Sequence, residues 1–65
     1  MSPTAAIHHL VLTLKLVESM GYDPRSGDVT SDLFRIHCQT RMALRYFGYV
    51  WTYDGELRPL DPVTT

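Results

Sequence analysis

At 65 residues the chain is at most one domain, near the lower limit of what folds alone, and it would bury only about 60% of the surface its unfolded form exposes. A composition of 45% hydrophobic and 20% charged residues excludes a disordered chain, and a net charge of −1 excludes a bulk field that would draw it to nucleic acid or membrane. Cys38 is the single cysteine, so an internal disulfide is excluded, and the staple that domains below roughly 70–80 residues usually add is left to a metal or a partner.

Ser2-Pro3-Thr4 reads as a helix start. Ser2 can cap free amides, and Pro3 at the first helical position gives up no needed hydrogen bond. The helix is expected over about residues 3–20. Gly21 follows where a left-handed stop residue belongs, with Pro24 just beyond. Leu10, Leu12, Leu14 and Leu16 also alternate with Val11, Thr13, Lys15 and Val17 as a strand would. Leucine's helix preference and the signals at both ends favour the helix. Residues 5–17 are apolar but interrupted by His8, His9 and Lys15, with no basic residue before them. They fall well short of the roughly 20 apolar residues of a membrane span, so the expected location is cytoplasmic, with no membrane association.

Residues 21–29, with Asp23-Pro24 and Ser26-Gly27-Asp28, have loop composition. A second helix is expected over about residues 30–47. It would open at Thr30, with Ser31 and Asp32 in its first turn, and stop at Gly48. Tyr49-Val50-Trp51-Thr52-Tyr53 is rich in β-formers, and Asp54-Gly55 suits a type I′ turn, giving a hairpin over about residues 49–60. Pro59 confines the returning strand to an edge or ends it, and residues 61–65 are expected to be a loose tail. The fold expected is a single small α+β domain, mainly helical: two antiparallel helices followed by a C-terminal β-hairpin, associating through helix faces.

The association follows from surplus apolar surface. On the first helix Ile7, Leu10, Val11, Leu14 and Val17 form one stripe, while Ala5, Leu12, Leu16 and Met20, with His9 at the seam, form another nearly opposite. On the second helix Leu33, Ile36, Thr40, Ala43, Leu44 and Phe47 make one face, and Phe34, Cys38 and Met42, edged by Tyr46, make another. One copy of so short a chain cannot cover both extra faces, and large apolar patches are uncommon on monomers. A two-fold homodimer is therefore expected to use Ala5, His9, Leu12, Leu16 and Met20. With His9 at that seam the dimer would be pH-sensitive, since imidazoles titrate near neutrality.

Few residues have the spacing that chemistry needs. His8, His9, His37 and Cys38 are zinc-ligand types, but neighbours on a helix diverge by about 100°, so no metal or other cofactor is expected. No phosphate-cradling glycine loop, nucleophile motif or paired carboxylates appear, so neither catalysis nor a small-molecule substrate is expected. Arg35, Arg41 and Arg45 on helix 2 allow a nucleic-acid reading, but three arginines on a slightly acidic chain after a long loop make a solvated face the better one. Phe34, Arg41, Met42 and Arg45, with Tyr49, Trp51 and Tyr53 on the hairpin, are of the types that protein interfaces favour, and the hairpin face either packs on the helices as core, the commoner outcome, or stays open as an aromatic binding surface. Trp51 is expected to face Arg58 across the hairpin. The functional expectation is a small homodimeric interaction protein that binds another protein as a regulator, an adaptor or an inhibitor, phage-type inhibitors included. The alternatives are a nucleic-acid-binding regulator and a subunit of a larger assembly.

Overall fold

A computed structural model describes residues 2–25 and 29–60. The sequence-predicted tail and the Ser26-Gly27-Asp28 turn lie outside the described residues. Helix α1 (Pro3–Ser19) is followed by helix α2 (Asp32–Tyr46) and an antiparallel pair, β1 (Tyr49–Trp51) and β2 (Leu57–Pro59). This is the small, mainly helical α+β arrangement expected, and the leucine-rich segment is helix, not strand.

Local chemistry explains the boundaries. The Ser2 hydroxyl accepts from the Ala5 amide (3.2 Å), and Pro3 occupies the first turn. Helix α2 starts later than Thr30 because Ser31 is its cap: the Ser31 hydroxyl accepts from the Leu33 amide at 3.0 Å, and Asp32 supplies the acidic first turn. At its other end Gly48 takes φ +89°, a left-handed turn that a residue with a Cβ adopts only at a cost, and the chain passes straight into β1.

The hairpin departs from expectation. A type I′ turn at Asp54-Gly55 needs positive φ at both residues, and only Gly55 has it (+85°). The chain instead makes a three-residue loop. Gly55 donates to the Thr52 carbonyl (3.0 Å), Thr52 donates to the Glu56 carbonyl (2.9 Å), and the Thr52 hydroxyl accepts from the Glu56 amide (3.0 Å). One added loop residue shifts the register, so Trp51 lies opposite Leu57 and Val50 opposite Arg58. The expected Trp51–Arg58 pairing is therefore absent, and Arg58 pairs with Glu56 on the exposed side. Strand β2 ends at Pro59, as a residue without an N–H requires.

The core is Leu14, Leu44 and Trp51, with Ile7, Leu10, Val11 and Tyr49 packed against it and Val17 and Tyr22 also buried. Helix α2 buries Leu44, His37 and Thr40 and half-buries Leu33. Ile36 and Phe47, assigned to that inner face from the sequence, are exposed. Both sets keep helical spacings of three and four; the buried line runs through His37 because its ring meets the Glu18 carboxylate of α1, and Phe47 is the residue that caps the end of α2. Thr40 tolerates burial because its hydroxyl donates to the Ile36 carbonyl (2.7 Å).

Candidate functional site

Two features stand apart from the core: an apolar outer surface and a polar cluster beside a cavity. Along the outside of α1, Leu12, Leu16 and Met20 are 47%, 60% and 60% exposed, whereas Leu14 and Val17 on the opposite side are 0% and 3% exposed. His9 is exposed on the same outer stripe and Ala5 is half-buried. The stripe is set by spacings of three and four, which place these residues on one side of any α-helix. On α2, Met42 and Tyr46 are exposed, and Phe34 and Cys38 are half-buried.

The helix 2 arginines do not act together. Arg35 and Arg45 are exposed, but Arg41 is half-buried and lines a cavity. The hairpin aromatics divide as well. Tyr49 packs on the core and Trp51 belongs to it, the core alternative for that face, while Tyr53 is exposed at the cavity.

The polar cluster joins three elements through one carboxylate oxygen. Trp51 Nε1 donates to Glu18 Oε2 (2.8 Å), and His37 Nε2 lies 2.8 Å from the same oxygen. An ionised carboxylate only accepts, so His37 places its proton on Nε2 here. Glu18 comes from the last turn of α1, His37 from α2 and Trp51 from β1, so the cluster fixes all three relative to one another. The His37 side chain is 1% exposed, and the Tyr22 ring packs against it at 4.8 Å between centroids, tilted by 42°. Gly55 brings the hairpin loop over the cluster, its Cβ position 3.9 Å from Glu18 Oε1 and from the Trp51 ring. The exposed Arg25–Asp54 pair (3.6 Å) links the loop after α1 to the same turn.

Beside this cluster is a cavity of about 280 Å³ lined by Pro24, His37, Arg41, Val50, Trp51, Thr52 and Tyr53. Two buried polar atoms at its wall residues, His37 Nδ1 and Arg41 Nε, have no hydrogen-bond partner among the described residues. Sequence reasoning weighed His37 as a metal-ligand type and as a neighbour of Cys38, set both aside, and missed Glu18 altogether. The available signal was Trp51: a buried indole needs an acceptor, and Glu18 is the one carboxylate within α1. His8 and His9 are both exposed and lie edge to face at 6.0 Å. No three His, Cys, Asp or Glu side chains are gathered as metal ligands among the described residues. No helix among them is long and apolar enough to cross a membrane. Comparison with protein-family models, curated proteins and solved structures found no match.

Proposed function

We propose that this chain is a small, non-catalytic protein-interaction module that pairs with itself through the outer face of α1 and docks another protein, as a regulator, inhibitor or adaptor. The observation that carries the proposal is the exposure of Leu12, Leu16 and Met20 on one stripe, facing away from a core that already has its own α1 side in Leu14 and Val17. Exposed Met42 and Tyr46 and half-buried Phe34 supply a second surface, on α2, for the other protein. A cytoplasmic setting belongs to the proposal because Cys38 is the only thiol and the chain has no disulfide to protect.

Magnitudes set the expected strength. Fully burying a Leu or Met contributes about 1.5–3 kcal/mol, so a half-exposed side chain has about 1 kcal/mol left to gain. Three such residues from each of two copies give about 6 kcal/mol. Association costs about 4–15 kcal/mol, so the α1 seam alone nets at most about 2 kcal/mol, and a dimer at millimolar protein, which takes about 4 kcal/mol, draws the rest from flanking contacts. Sedimentation velocity up to about millimolar protein tests this: the wild type should move from monomer to dimer, and Leu16→Glu should stay monomeric with unchanged helical circular dichroism. A wild-type chain that stays monomeric throughout, or a Leu16→Glu dimer of equal strength, rejects the α1 seam.

A further inference from the structure

We propose that the cavity between α2 and the hairpin binds a small organic anion, a carboxylate or phosphate on an aromatic or aliphatic stem, with Arg41 as the anchor. The site is distinct from the α1 face and does not depend on self-association. Its wall is mostly apolar, from Pro24, Val50, Trp51 and Tyr53, and the polar side chains on it are Arg41, His37 and Thr52. No carboxylate lines it. The nearby carboxylates are engaged elsewhere: Glu18 with His37 and Trp51, Asp54 with Arg25, and Glu56 with Arg58. Among the described residues, Arg41 has no ion-pair partner, although it is half-buried against an apolar wall.

One unpartnered donor sharpens the assignment. Arg41 Nε–H is buried without an acceptor, and a donor of this kind calls for a partner, whereas His37 Nδ1, with the ring proton on Nε2, is itself an acceptor and contributes nothing to holding an anion. A guanidinium presents its donors as a planar fork that fits the oxygens of a carboxylate or phosphate, which makes an oxyanion the matching guest. The Trp51 and Tyr53 rings and the Val50 and Pro24 side chains then enclose the apolar stem. At about 280 Å³ the cavity is just below the size range of drug-sized ligand sites, so the guest is about the size of one aromatic acid.

Titration of isotope-labelled protein with benzoate, phenyl phosphate and the neutral benzamide, followed by ¹H–¹⁵N spectra, tests the site. Trp51 is the only tryptophan, so its indole N–H is a single reporter on the wall. At least one of the two anions should shift this signal and the Arg41 Nε–H saturably. Benzamide should bind at least about tenfold more weakly, the scale of one lost charge-assisted hydrogen bond. Arg41→Gln should weaken the anion by a similar factor. Lys15→Gln, which removes a positive charge from exposed α1 surface, should leave it unchanged. No saturable shift with either anion, equal binding of benzamide, or full retention in Arg41→Gln overturns the proposal. If Arg41→Gln fails to fold, the wild-type comparison of anion with benzamide decides alone.

Discussion

Removing the Glu18 carboxylate should cost this protein a large share of its stability. In Glu18→Ala the indole N–H of Trp51 and the Nε2–H of His37 both lose their acceptor, and the His37 side chain is 1% exposed. Each buried donor left unpaired costs about 1–3 kcal/mol. The lower half of that range applies to each of the two donors, because the Glu18 side chain is 25% exposed and water can follow it into the gap, so the loss should be about 2–4 kcal/mol. A domain of this size has only about 3–5 kcal/mol in total. Glu18→Gln separates charge from hydrogen bonding. Its amide oxygen can still accept both bonds, because one oxygen accepts both here, so it should lose only about 1 kcal/mol. Urea unfolding at fixed protein concentration, followed by Trp51 fluorescence, measures both variants. A Glu18→Ala unfolding free energy within about 0.5 kcal/mol of the wild type would mean that the cluster does not hold the three elements together.

Two further substitutions separate core from surface and test the turn. Leu44→Ala, at a fully buried position, should cost about 2–5 kcal/mol and come close to unfolding the chain, whereas Leu12→Ala, on the exposed stripe, should cost less than about 1 kcal/mol in the monomer; thermal unfolding at low concentration compares them. Gly55→Ala meets no atom closer than 3.9 Å, so its penalty comes from the left-handed φ alone, about 1–2 kcal/mol, and a loss below about 0.3 kcal/mol would show that the loop can change conformation freely.

The helices and their ends were legible because their causes are local. Ser2, Pro3, Ser31 and the glycines act within a few residues of their own position, and the two sides of α1 follow from its own periodicity. What escaped sequence reasoning depends on partners far along the chain. His37 is buried in place of Ile36 because Glu18, 19 residues earlier, accepts its proton, and Trp51 meets the same oxygen from 33 residues away. The hairpin register was misjudged for a subtler reason. Asp54-Gly55 is a strong two-residue turn signal, but a three-residue loop needs positive φ only at glycine, and Thr52 adds a hydroxyl acceptor that holds it. That one-residue difference moved Arg58 away from Trp51 and left the ring free to enter the core.

The interior and the outer surface are connected through stability. His37 and Thr40 occupy inner positions of α2, and Leu12, Leu16, Met20 and Met42 lie outside, so the centre is less apolar than the composition would allow. A centre of this kind specifies how α1, α2 and β1 meet but contributes less to stability than an all-aliphatic one would. Association then adds stability by mass action, because only the folded chain presents the α1 stripe. Below the dimer dissociation constant the melting temperature should not depend on concentration. Above it, each tenfold rise adds RT ln 10, about 1.4 kcal/mol per dimer or about 0.7 per chain. For a domain of this length that is a rise of about 3–5 °C per decade. Differential scanning calorimetry from about 5 µM to about 1 mM should show a flat region followed by this climb in the wild type. Leu16→Glu should remain at the wild type's low-concentration value across the whole range. A flat wild-type curve to the top of the range would leave the outer stripe of α1 without a stabilising partner in its own copies.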